Sequence, residues 1–130
     1  MSAKTLFGAA GLVVERVVFA EAPNCGSSQM TFVMSPNDLK GTLGDPEMVP
    51  GESPEAWGEW TWSFKLPDGT HGSIRNYRRG GFRWYLMVEE GEGRDQTHDR
   101  SVKLVEALVD IFDKAGLTLF PNWYLHPFVP

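Results

Sequence analysis

The sequence predicts an α+β fold, a mainly antiparallel sheet of about five strands with one long C-terminal helix packed across one face. Three observations lead there. Apolar and polar residues alternate strictly along Glu59–Leu66 and again along Phe82–Glu89, the period-two pattern of a half-buried strand. Pro67-Asp68-Gly69 follows the first of these runs as a turn, Pro pre-setting one backbone angle and Gly accepting a positive one. One stretch, from Asp99 or Ser101 to about Ala115, repeats apolar residues at helical spacing and stops before Gly116, a residue suited to the left-handed position past a helix end.

The chain of 130 residues, 42% hydrophobic and 22% charged, matches one soluble domain spanning 1–130. Such a chain buries roughly two thirds of the surface of its unfolded form, so its core requires neither metal nor disulfide, and no cofactor is expected.

The start, Met1–Ala22, has Lys4, an apolar stretch and a small-residue Ala20-Glu21-Ala22 site. Glu15, Arg16 and the bulky Val17–Phe19 break the pattern of a signal peptide, and a strand over Leu12–Ala20, the first of the fold, explains the β-branched run better. No window reaches the length of apolar chain that crosses a membrane. After Pro23-Asn24-Cys25-Gly26, the segment Gln29–Met34 puts Met30, Phe32 and Met34 on one face and reads as the hairpin partner of that strand. Pro36, Pro46, Pro50 and Pro54 with Gly41, Gly44 and Gly51 then mark 35–55 as a long Pro/Gly-rich surface loop.

Glu59–Leu66 directs Trp60, Trp62, Phe64 and Leu66 to the core, leaving Glu59, Thr61, Ser63 and Lys65 for solvent. A strand over Thr70–Arg79, a Gly80-Gly81 connection and Phe82–Glu89 complete a meander, the last strand setting Phe82, Trp84, Leu86 and Val88 opposite Arg83, Tyr85, Met87 and Glu89. Glu90–Thr97 has the character of a linker. In the helix Val102, Val105, Val109 and Phe112 form a stripe beside Leu104, Leu108 and Ile111, with Lys103, Glu106, Asp110, Asp113 and Lys114 outward. Pro121, Pro127 and Pro130 make 117–130 an extended segment or edge strand.

Twelve Lys and Arg residues against 17 acids give a net charge of -5, which opposes a membrane surface or a nucleic-acid backbone as partner. The single Cys25 rules out an intramolecular disulfide and points to a reducing, cytoplasmic setting. His71, His98 and His126 are too scattered for metal-ligand spacing, and no nucleophile signature surrounds Cys25. Glu89 and Glu90 face opposite ways on a strand, and Gly91-Glu92-Gly93 lacks the remainder of a phosphate loop. No catalytic or metal residue is assigned, and the reading leans away from an enzyme.

Of the five Trp residues, Trp60, Trp62 and Trp84 belong to the core by strand parity, whereas Trp57 and Trp123 stand near breakers where they could meet a partner. Arg75, Arg78, Arg79 and Arg83 interleave with Tyr77, Phe82 and Trp84, a mixture that also grips single-stranded nucleic acid. Overall charge and the nearby acids weigh against that use.

Two function classes remain. The first is a non-catalytic, small acidic protein-binding module, of the stoichiometric inhibitor or toxin-neutralising immunity kind. It would meet a basic protein partner through Trp57, Glu89, Glu90, Glu92, Asp95 and Trp123. The alternative is a small-ligand-binding protein or enzyme with an aromatic- and Arg-lined pocket between sheet and helix, using His71, Arg75, Tyr77 and Arg79.

Overall fold

The computed structural model describes residues 4–21, 25, 27–49, 59–76 and 82–123. Their elements run β1 (Lys4–Phe7), β2 (Val13–Val17), a 3-10 turn (Phe19–Glu21), β3 (Ser27–Val33), α1 (Pro36–Leu43), β4 (Glu47–Val49), β5 (Glu59–Lys65), β6 (His71–Arg75), β7 (Arg83–Val88), α2 (Gly93–Lys114) and β8 (Asn122–Trp123). The fold is α+β, an antiparallel sheet with the long helix α2 packed on it. Among the described residues the sheet has eight strands, more than the five expected, in the order β1-β2-β5-β6-β7-β3-β8, with β4 also paired to β5.

The surplus strands come from three short segments without a long alternating run. Lys4–Phe7 precedes the strand expected to be first and pairs with it, Leu6 opposite Val14. Glu47–Val49 takes over the edge of β5 where β2 leaves it, so that Val17 lies opposite Ser63 and Glu47 opposite Thr61. Asn122–Trp123 adds the last strand by pairing with β3. The expected hairpin between the strands at Val13 and Met30 does not form, because β2 pairs with β5 and β3 with β7.

The 35–55 region is not a plain loop: α1 and β4 occupy it. The breaker Pro36 sits in the first turn of α1, where its missing N–H costs nothing. The Ser35 hydroxyl caps the helix by accepting the Asp38 N–H, and the Gly44 N–H closes it on the Lys40 carbonyl.

Helix α2 starts earlier than Asp99, at Gly93, although its N-cap residue Glu92 contributes no side-chain cap. Capping comes from downstream. The Thr97 hydroxyl accepts the Gly91 N–H and donates to the Gly93 carbonyl, both at 2.9 Å, and the Gln96 side chain accepts the Glu92 N–H. Ser101 is internal and its hydroxyl donates back to the Thr97 carbonyl. Gly116 follows the helix at φ 77° and Gly69 closes the β5–β6 turn at φ 92°, positions where a side chain would strain the backbone.

The core lies between the helices and one face of the sheet. Trp62, Trp84, Phe32, Phe64, Ile74 and Leu86 from the strands meet Leu39 and Leu43 of α1 and Leu104, Leu108 and Phe112 of α2. At Gly72 of β6 a Cβ would overlap Leu104, so the glycine admits α2 at close range. Phe82, assigned to the core by parity, is 60% exposed, because it lies just before the start of β7.

Asp110, expected to face solvent, is buried instead. Its carboxylate accepts the Ala10 N–H at 2.7 Å and the Leu12 N–H at 2.9 Å, fixing the β1–β2 turn to the last third of α2. Removing the acceptor leaves two backbone donors unpaired. Asp110→Ala is therefore expected to lower unfolding stability by about 2 kcal/mol, and Asp110→Asn, which keeps one acceptor, by less, as read from urea midpoints.

Candidate functional site

Two regions gather the chemistry-bearing side chains, and both are anchored on the β6–β7–α2 connection. At Glu89 the chain leaves β7, its N–H still donating to the His71 carbonyl at 3.0 Å. Arg100, two turns into α2, donates one Nη to the carbonyls of Glu89 and Glu90 at 3.2 and 2.9 Å. That cation and the Gln96 and Thr97 caps hold the connection against the helix start, leaving Glu90, Glu92, Asp95 and Asp99 exposed. Asp95 in the first turn also sits favourably at the positive end of the helix dipole.

Trp123 joins this corner through β8. It lies opposite Met30 of β3, and its ring is 5.5 Å from that of His98. His98 follows Asp95 by three positions and precedes Asp99, so the three share one helix face. The structure thus sets Trp123, half-buried against the core, beside the helix face that carries Asp95, His98 and Asp99. Glu89 turns away from it: its Oε1 lies 3.3 Å from His71 Nδ1 and accepts the His71 N–H at 3.2 Å. Trp57 lies outside the described residues.

The second region is the sheet face away from α2. Strand β6 presents His71, Ser73 and Arg75 there and turns Gly72 and Ile74 to the helix. Ile74, Leu86 and Leu104 pack together on the helix side, while strand parity puts His71 and Arg75 on the other face. Tyr77 and Arg79, with Arg78, lie outside the described residues.

Register places Ser63 opposite Ser73 and Thr61 opposite Arg75, a rectangle of polar side chains on two adjacent strands. Thr61 and Ser63, expected to face solvent, are fully buried, and Ser73 is 1% exposed. Val17, Cys25 and Met87 form a small apolar cluster on the same face, and the Arg75 guanidinium lies 4.5 Å over the Phe19 ring. The Oγ atoms of Ser63 and Ser73 and the Nε of Arg75 are closed off from solvent with no hydrogen-bond partner. Sequence reasoning missed both serines. Their parity with His71 and Arg75 was available, but nothing local announces that this face is covered.

Burial pushes the Cys25 thiol up to about 11, the Glu89 charge adding to the shift and the Arg75 charge opposing it. At neutral pH the sulfur is therefore a protonated thiol, a poor nucleophile and metal ligand. Among the described residues no three His, Cys, Asp or Glu side chains gather as a metal ion would need, and no helix is long and apolar enough to cross a membrane. No protein-family model, curated protein or solved structure matches the chain.

The thiol shift has a testable sign. An ordinary thiol ionises near 9.0 and this one near 11, so between those values the folded chain holds a proton that the unfolded chain has released, and stability falls as pH rises. Cys25→Ala is expected to flatten that alkaline decline in denaturant titrations at successive pH values. In the native wild type, iodoacetamide at pH 8 should modify Cys25 about 100-fold more slowly than in the denatured chain, from the difference in thiolate fraction.

Proposed function

We propose that the protein is a non-catalytic binding module whose partner is a protein, basic where it meets the start of α2. The observation that carries this reading is the corner itself. Between Glu89 and Asp99 the chain has five acids against Arg94 alone, and β8 sets the half-buried Trp123 beside their helix face through His98. An acidic field around an aromatic ring suits a partner with a cationic patch: charge raises the encounter rate and fixes orientation, while the ring supplies desolvated contact area. The backbone at this corner is held by Arg100, Gln96 and Thr97, so little ordering entropy is lost on docking. A stoichiometric inhibitor or immunity-type protein works in this way, by surface complementarity without chemistry. The protonated single thiol suits a reducing, cytoplasmic setting.

The test compares wild type with the triple variant Glu90→Lys, Glu92→Lys, Asp95→Lys as bait in an extract of the source cell, with each captured complex checked for stoichiometry by light scattering. Glu89 is left intact because it engages His71. The expected result is a one-to-one complex with a basic protein that is lost with the triple variant and weakened by added salt. Recovery of the same stoichiometric partner by both baits would refute the reading.

A further inference from the structure

We propose that the face of β5 and β6 away from α2 holds a small organic anion, its carboxylate or phosphate oxygens bound by Arg75 and supported from below by the hydroxyl dipoles of Ser63 and Ser73. Arg75 has no acid within ion-pair distance among the described residues, in a chain with 17 Asp and Glu against 12 Lys and Arg. Its Nε–H is buried without an acceptor. A guanidinium carries five donors in a fixed fork that matches a planar or tetrahedral oxyanion.

The two serines make the same point independently. Their hydroxyls are register mates, neither has a hydrogen-bond partner, and both are sealed from water. A buried polar group left unpaired is costly, and alanine in its place would remove that cost. Unpaired donors that neighbour one another on one face would find their use when an acceptor arrives there. Every unpartnered donor in this cluster is an O–H or N–H and the one formal charge among them is positive, so an anion fits and a metal ion does not.

The surroundings sharpen the preference. Val17, Met87 and the Phe19 ring are apolar and lower the local dielectric, which strengthens a guanidinium–oxyanion contact. The Cys25 thiol on this face is neutral at pH 7 and does not repel the ligand. Of the carboxylates on this face, Glu89 is turned to His71 and Glu47 accepts the Phe19 N–H. Lys65, between His71 of β6 and Glu15 of β2, is exposed at the rim, where Glu15 offsets its charge. Arg75 is only half-buried, which leaves a route to it from solvent.

The probes are sodium acetate and sodium phosphate, added to the whole chain at constant ionic strength and pH 7, with sodium chloride as control. The readouts are the NMR resonance of the Arg75 side-chain Nε–H and the unfolding temperature. A saturable shift of that resonance below about 50 mM of one salt, with a matching rise in unfolding temperature, is expected from ligand linkage. Which salt acts distinguishes a carboxylate ligand from a phosphate one. Arg75→Met should abolish the response. Ser63→Ala with Ser73→Ala should leave the free protein at least as stable while weakening binding several-fold, a combination that a purely structural role for the hydroxyls would not give. The triple lysine variant of the acidic corner should bind the anion like wild type, which separates this site from the protein-binding surface. No saturable shift with either salt in wild type, or an unchanged response in the serine double variant, would overturn the proposal. Both measurements remain decisive even where Arg75→Met fails to fold.

Discussion

The indole N–H groups of Trp62 and Trp84 determine where the rest of this molecule can sit. Both rings are fully buried and meet edge to face at 5.4 Å. Each has one donor that must find an acceptor away from water. Trp84 donates to the Met34 carbonyl just before α1 and Trp62 to the Gly44 carbonyl just after it, both at 2.8 Å. One short helix is thus gripped at its two ends by side chains of β5 and β7, which flank β6 in the sheet. Arg16 adds a third tie by donating to the carbonyls of Leu43 and Asp45, a cation placed where the helix dipole is negative. Burying two such rings is worth about 4 to 6 kcal/mol each by area, and the cost of their polar atoms is removed only if α1 occupies this position.

That constraint explains which parts of the fold were readable from the sequence. The alternation in Glu59–Leu66 identified Trp62 and Phe64 as core, and both are fully buried. Gly116 marked the end of α2, and Gly69 the β5–β6 turn. Helix α1 was hidden because its stability is not local: eight residues with one internal Gly make a poor helix alone, and its main anchors are an indole on β5 and another on β7. The early start of α2 was hidden for a related reason. Glu92 is not a capping residue by type, and the caps reach back from Gln96 and Thr97. Strand β4 has three residues, too few to display a period.

The candidate sites divide in the same way. The acidic character of Glu89–Asp99 was legible as composition. That Trp123 stands beside it was not, because the contact depends on β8 pairing with β3 across more than ninety residues of chain. On the other face, parity alone put His71 and Arg75 together, and by the same rule Ser63 and Ser73 belonged with them. Alternation assigns residues to a face but does not say whether that face is covered. Here β2 departs at Val17 into a 3-10 turn, Phe19 comes over Arg75, and Cys25 returns beside Met87. The Phe19 N–H is held by the Glu47 carboxylate at 2.7 Å, so the path of this cover depends on β4, one of the strands the sequence did not announce.

The two faces of the sheet obey different physical demands. Toward the helices the core side chains are apolar or, like the two indoles, have their polar atom bonded, and the one buried orphan there is the Nε of Arg16, whose two Nη atoms are bonded to the Leu43 and Asp45 carbonyls. On the far side of the same central strands, hydroxyls and a guanidinium Nε are buried with nothing to bond. Packing cannot account for the contrast, since the strands are shared and an alanine would fit wherever a serine does. Unpaired buried donors lower stability. In the proposed anion site these clustered donors would meet the acceptors that the chain itself does not supply.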